Sequence, residues 1–176
     1  MEHVNPDFHS YKISNKGHLR LLSSSLFYLG AYLVCSFAAL IFYAGDSSIF
    51  AIFVGAILLL VFTGPAYYLH YKYFLRSQHQ ELRLHKNFME IFENGLLKFT
   101  ISKKDIQRIQ IFMSPAYIAY GTTSGMPFHE HNYMEIETSN TTVQINNLLF
   151  PDLKYLAQNF FDTKPIYHES YFANIQ

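Results

Sequence analysis

Two uninterrupted apolar runs, residues 21–43 and 49–69, constrain this chain more than any other feature, because neither contains an Asp, Glu, Lys, Arg or His. The hydrocarbon core of a bilayer is crossed by roughly 20 apolar residues in helical form, and each run supplies about that many. A helix of a soluble core normally keeps a polar face over such a length, whereas these runs are polar only at Ser, Thr, Gly and Tyr. The pattern predicts two membrane-spanning helices joined by the polar link 44–48.

The position of charge predicts their orientation. The 13 basic and 13 acidic residues of the chain cancel, so no strong overall field draws it to acidic lipids or to nucleic acid, and no duplex nucleic acid is expected as a partner. Lys12, Lys16 and Arg20 precede the first run and Lys72 and Arg76 follow the second, while the link carries Asp46 alone. Under the positive-inside rule both termini face the cytoplasm, which predicts a multi-pass protein of a bacterial inner membrane. Cys35, the single cysteine, lies within the first run, so no intramolecular disulfide is available. The first twenty residues are too polar for a cleavable signal peptide, and the first run is expected to be retained.

The 176 residues then divide into a cytoplasmic arm (1–20), a transmembrane hairpin (21–75), a β-rich domain (76–161) and a tail (162–176). Ala31, Cys35 and Ala39, and likewise Ala51 and Gly55, recur at four-residue spacing, which lets helices approach closely in lipid. Pro65 predicts a kink near the inner end of the second span. Tyr67, Tyr68, Tyr71 and Tyr73 suit an aromatic belt at the headgroups.

From Glu81 the period changes to two. Segments 89–93 and 96–101 flank Asn94-Gly95, residues that tolerate the positive φ of a type I′ turn, so a β-hairpin is predicted. Residues 106–113 read as a further strand with Ile109, Ile111 and Met113 on one face, and 133–138 and 141–146 as a second hairpin. Between them, 114–131 is irregular, with Pro115, Gly121, Gly125 and Pro127 among aromatic residues, as functional loops often are. Pro151, Asp152, Leu153, Leu156, Ala157 and Phe160 predict a closing helix whose apolar face covers the strands. The tail shows no period.

The run Phe88-Met89-Glu90-Ile91-Phe92-Glu93-Asn94-Gly95-Leu96, then Lys104-Asp105-Ile106-Gln107-Arg108-Ile109, then Asn147-Leu148-Leu149-Phe150-Pro151-Asp152-Leu153, resembles bacterial membrane-tethered pleckstrin-homology-like domains. The resemblance covers about residues 81–161 and implies an α+β chain in which a C-terminal helix plugs a small curved antiparallel sheet or incomplete barrel. It implies binding or scaffolding and carries no catalytic residue. In architecture alone, two spans and a small cytoplasmic domain look like the membrane effectors of bacterial antiviral systems, both CRISPR-associated and cyclic-oligonucleotide-activated. That likeness implies a nucleotide ligand and a perturbed membrane.

Candidate binding residues fall in three groups. Lys103, Lys104 and Arg108 form a basic group beside a turn, able to meet phosphate. Tyr117 and Tyr120, with Phe128 and Tyr133, offer rings for stacking on a base, and His129 or His131 a hydrogen bond to it; core packing is the competing use of such rings. His129-Glu130-His131 has the spacing of two metal ligands on one face of a strand, with Glu135 or His85 as a third, but an exposed polar flank is the simpler reading and no metal or cofactor is predicted. The glycines of 121–125 do not match a phosphate-binding loop, because no Lys follows the second. No serine sits in a nucleophile elbow and no carboxylate pair in an evident cleft, so no catalytic function is predicted.

The expectation is a non-catalytic membrane protein whose cytoplasmic domain binds a ligand or protein partner through 114–131 and couples it to the hairpin through 76–81, within a homo-oligomer in the bilayer. The alternatives are an antiviral effector that binds a cyclic oligonucleotide and depolarises the membrane, and a metal-dependent membrane enzyme using His129 and His131.

Overall fold

The computed structural model describes residues 8–42, 46–120, 126–170 and 173, with the backbone alone described at 46–48 and at Tyr120. The chain is α+β. Strand β1 (Phe8–Lys12) leads into helices α1 (Asn15–Phe42) and α2 (Asp46–Ser77), and strands β2 (Gln80–His85), β3 (Phe88–Glu93), β4 (Leu96–Ser102) and β5 (Ile106–Met113) follow. Helix α3 (Pro115–Tyr120), strands β6 (Tyr133–Thr138) and β7 (Thr142–Asn146), helix α4 (Leu153–Asn159) and strand β8 (Ile166–Glu169) complete it. One sheet has the order β1-β2-β3-β4 and the other β7-β6-β5-β8.

The N-terminal strand changes the reading of the architecture. Residues 8–12, expected within an arm, pair antiparallel with β2 from Phe8↔His85 to Lys12↔Glu81. Both long helices are therefore an insertion between two adjacent strands of one sheet. The sequence signal for β1 is weak because Phe-His-Ser-Tyr-Lys has no clean alternation, and an edge strand buries little. At the other terminus, residues 166–169 of the expected tail add to β5 in parallel, from Gln110↔Ile166 to Met113↔Glu169.

The expected hairpins are present. Asn94 and Gly95 adopt φ of 53° and 79°, as a primed turn demands, and β3 and β4 pair across them. Ile109, Ile111 and Met113 face the core. They meet Met134, Ile136 and Ile145 of the second sheet, Leu82, Met89 and Ile91 of the first, and Leu153, Leu156 and Ala157 of α4. Asp152 caps α4, its carboxylate accepting from the Tyr155 N–H at 2.8 Å, so the helix starts where Pro151 and Asp152 place it. The irregular stretch holds α3 and a 3₁₀ turn at Pro127–Glu130; residues 121–125 lie outside the described residues.

Helices α1 and α2 have 28 and 32 residues, which makes them about 42 and 48 Å long, longer than the apolar runs alone. Residues 15–20 and 70–77 continue the helices past those runs to the domain, where Arg20 donates to the Asn147 carbonyl, the Tyr73 hydroxyl to the Ala173 carbonyl, and Ser77 Oγ accepts from the Asn146 amide. Beyond the domain the helices are almost bare: Phe27, Val34, Phe37, Phe42, Phe50 and Leu60 are all about two-thirds exposed or more. The two helices touch through the Tyr32 hydroxyl, which donates to the Ile52 carbonyl at 2.9 Å, and the Tyr32 ring lies where a Cβ on Gly55 would meet it at 3.0 Å. Gly55 thus admits an aromatic ring. Ala31 and Cys35 are exposed and stand outside this contact. Helix α2 continues through Pro65 as one helical element.

Replacing Gly95 by Val places a β-branched side chain at positive φ. A loss of roughly 1–2 kcal/mol is expected, read as a lower midpoint of denaturant unfolding.

Candidate functional site

The two connections between helices and domain are short, Ile13-Ser14 before α1 and Gln78-His79 after α2. They bring a polar cluster and a basic cleft to the same end of the domain. Asn146, at the end of β7 and 2% exposed, anchors the cluster. Its amide nitrogen donates to the Tyr73 carbonyl at 3.2 Å and to Ser77 Oγ at 2.7 Å, both on α2. Its amide oxygen accepts from the Leu148 and Leu149 N–H groups at 3.2 and 3.1 Å. One side chain therefore satisfies buried groups of two elements. Asn147 does the same toward the other helix: its amide donates to the Glu130 carbonyl at 2.6 Å, its side-chain oxygen accepts from the Asn132 N–H at 3.3 Å, and its own carbonyl accepts from the Arg20 guanidinium of α1. Ser24 of α1 donates to the Glu130 carboxylate. The Tyr73 hydroxyl, fully buried, donates to the Ala173 carbonyl at 2.7 Å.

Three imidazoles meet in this cluster. His18 Nδ1 on α1 and His70 Nε2 on α2 are 2.8 Å apart, and His131 packs edge-on to both His70 and Tyr73, with ring centroids 5.7 and 5.3 Å away. His131 is 1% exposed, and neither ring nitrogen closes a hydrogen bond of good geometry among the described residues. Burial, reinforced by His70, pushes its pKa down to about 3, and the Pro127 carbonyl works against that shift. Burial also lowers His129 and raises Glu130, where the Ser24 hydrogen bond and Arg20 oppose it.

The cleft lies beside the cluster, where β1 becomes α1. It has a volume of about 420 Å³ and is lined by Lys12, Lys16 and Arg20 with Ser10, Ser14 and Leu148. Ser14 opens α1, its hydroxyl accepting from the Gly17 N–H at 3.1 Å. Lys12 pairs with Glu81 at 2.9 Å, and Arg83 donates to the same carboxylate at 2.6 Å. These hydrogen bonds, Arg83 first and then Lys12, hold Glu81 down at about 2. Lys16 is exposed and forms no ion pair among the described residues. The cleft thus gathers three cations, of which Lys12 is paired with Glu81 outside the lining and Arg20 is bonded to the Asn147 carbonyl within the field of Asp152 and Glu130, so that Lys16 is the cation most open to an anion.

The residues expected from sequence to bind a ligand are dispersed. Lys103 lies over the Phe160 ring at 4.3 Å, Arg108 faces Glu137 at 3.9 Å, and Lys104 is exposed. They stand at the start of β5, whereas Tyr117, Tyr120, His129 and His131 follow its end, and eight strand residues put roughly 23 Å between the two groups. Tyr117 is half-buried against the main core, and burial raises its pKa. The side chain of Tyr120 lies outside the described residues. Tyr133 stacks on Phe112 at 4.6 Å, and Phe128 meets His129 edge-on at 4.6 Å. His129 and His131 are both buried rather than an exposed flank, because residues 127–130 dock on α1 and α2. Among the described residues, no group of three His, Cys, Asp or Glu is placed to hold a metal ion.

Lys12, Lys16 and Arg20 carry a sequence signal that pointed to orientation in the membrane, and the same spacing also places them around one cleft. Asn146 and Asn147 offered no signal, since their role depends on partners some 70 and 127 positions away.

Two sheets and one closing helix define this as a small β-rich domain with a helical hairpin inserted between its first two strands. The family model of the PH domain matches residues 10–157, insertion included, and the chain belongs to the PH domain family. No curated protein and no solved structure gives a significant match.

Replacing Asn146 by Ala leaves the buried Leu148 N–H without its side-chain acceptor, while the Leu149 N–H keeps the residue-146 carbonyl, and it removes the amide donor to the Tyr73 carbonyl and Ser77 Oγ. We expect a loss on the order of 2–3 kcal/mol in unfolding free energy, against a change near zero for Asn159→Ala at an exposed position of α4.

Proposed function

We propose that the chain is a non-catalytic, membrane-anchored PH module that binds anionic phosphate groups at the cytoplasmic face of a bacterial inner membrane. The observation that carries the reading is the cleft of Lys12, Lys16 and Arg20 at the point where α1 leaves the domain. The membrane half of the reading rests on two helices whose apolar stretches are 6% and 11% buried, since side chains so exposed need an apolar solvent. A hydrocarbon core of about 30 Å takes up part of each helix and leaves the remaining turns for the joint with the domain. The basic residues gather on the domain side of the hairpin and Asp46 lies at the other end, the arrangement expected when the domain and N-terminus are cytoplasmic. Phosphate groups of anionic lipids then lie within reach of the cleft, and each lysine near such a surface contributes about 1 kcal/mol.

In this reading the cleft holds the ligand, and the asparagine and histidine cluster passes its state to the helices, because Arg20 belongs to both. The homo-oligomer expected from the sequence is part of the proposal, formed by the exposed faces of the hairpin within the bilayer.

The test is titration calorimetry on the detergent-purified chain with inorganic phosphate and a soluble inositol phosphate. The double variant Lys12→Gln/Lys16→Gln should weaken binding by about 30-fold, the equivalent of roughly 2 kcal/mol. Absence of binding to the wild type, or equal binding by the variant, overturns the reading. Native mass spectrometry of the same samples, with and without cyclic oligonucleotides, reads the oligomeric state. A retained nucleotide there would move the assignment to the membrane effector.

A further inference from the structure

We propose that His18, His70 and His131 form an acid-released clasp between the helical hairpin and the PH domain. The proposal goes beyond the phosphate-binding reading and rests on the geometry of the joint. The three rings come from three separate elements: α1, α2 and the segment leading from the 3₁₀ turn into β6. Each is held against a neighbouring ring on another element. The 2.8 Å contact between His18 Nδ1 and His70 Nε2 needs one ring to supply a hydrogen and the other a lone pair. Two protonated rings have no lone pair to offer, so full protonation of the pair replaces a hydrogen bond by repulsion.

His131 is the buried member, and among the described residues no carboxylate pairs with it. From α2 come His70 and the Tyr73 hydroxyl, which is already donated to the Ala173 carbonyl. From α1 come His18, across His70, and Arg20, whose guanidinium is bonded to the Asn147 carbonyl. From the 3₁₀ turn come His129, itself buried, and Glu130, whose carboxylate accepts from Ser24 and faces the Arg20 guanidinium rather than pairing with His131. Tyr133 opens β6 with its ring stacked on Phe112. A proton on His131 therefore creates a buried cation with no carboxylate paired to it, and undocking the helices from the turn restores its hydration.

The sign follows from burial. A histidine whose pKa is depressed in the docked state and ordinary, near 6.5, once exposed favours docking fully above about pH 6.5. That preference is lost as the pH falls from there toward about 3, where docked His131 itself takes a proton. Between pH 7.5 and 5.5 one such group shifts the docking equilibrium about tenfold toward release.

The experiment is hydrogen–deuterium exchange of the full chain in lipid nanodiscs at pH 7.5, 6.5 and 5.5, corrected for the intrinsic exchange rate. Residues 126–134 and 146–150 should open about tenfold more at pH 5.5 than at 7.5, while the β3–β4 hairpin stays unchanged. His131→Phe, which keeps the ring contacts and removes the proton site, should abolish that slope. Opening of the joint that does not vary with pH, or a slope equal in His131→Phe, overturns the proposal. If His131→Phe does not fold, the titration of 13C-labelled imidazoles in the wild type decides. A docked His131 that stays neutral below pH 5 supports the clasp, and one that titrates near 6.5 refutes it. The same nanodisc lipids face the cleft at every pH and in both variants, so a slope that His131→Phe abolishes is separable from phosphate binding at the cleft.

Discussion

The pairing of β1 with β2 is the constraint on which the remaining structure depends. Antiparallel strands lie about 4.8 Å apart, so a chain that leaves one strand and returns in the next must bring both ends of whatever it inserts close together. Here the insertion is a pair of helices more than 40 Å long, and the ladder from Phe8↔His85 to Lys12↔Glu81 holds their domain-side ends side by side. An up-and-down hairpin satisfies that requirement without a long loop. The insertion also leaves the PH domain with two covalent links to the helices, where a domain simply following the hairpin would have one.

Two short links alone would allow a hinge, and the buried amides remove much of that freedom. Asn146 and Asn147 close hydrogen bonds to α2, to the 3₁₀ turn and to α1, so displacing a helix leaves several buried donors and acceptors unpaired. Such a network is costly when partly satisfied, which favours one docked arrangement over a continuum. The histidines at its centre are the members whose hydrogen-bonding capacity depends on pH.

Much of the domain was legible because its signals are local. Asn94-Gly95 announces a primed turn through two adjacent residues, Ile109, Ile111 and Met113 alternate on a strand buried on one face, and Asp152 caps its own helix three residues on. The strands at the two ends of the chain were not legible, since β1 and β8 lie at the edges of their sheets and bury little of themselves. The stretch 114–131 looked like an open loop from its prolines and glycines, yet His129 and His131 are covered by helices whose docking no local pattern encodes. Lys12, Lys16 and Arg20 were visible as charges, but their convergence on one cleft depends on β1 ending where α1 begins.

On the proposed reading, that convergence also gives an anion in the cleft a route to the helices. Arg20 lines the cleft and is bonded to the Asn147 carbonyl, and Asn147 in turn holds the Glu130 carbonyl in the turn that carries His131. An anion that draws the Arg20 guanidinium into the cleft competes with that carbonyl, because the guanidinium is planar and its donors point in fixed directions. The competition acts on α1 within two turns of its first residue, where a small change of tilt is magnified along about 42 Å of helix. Ligand and proton would therefore act on opposite flanks of one joint, the first through Arg20 on α1 and the second through His131 against α2. Under these two proposals both would bias the same pair of arrangements, docked and released, which is the condition for two distant signals to be coupled thermodynamically.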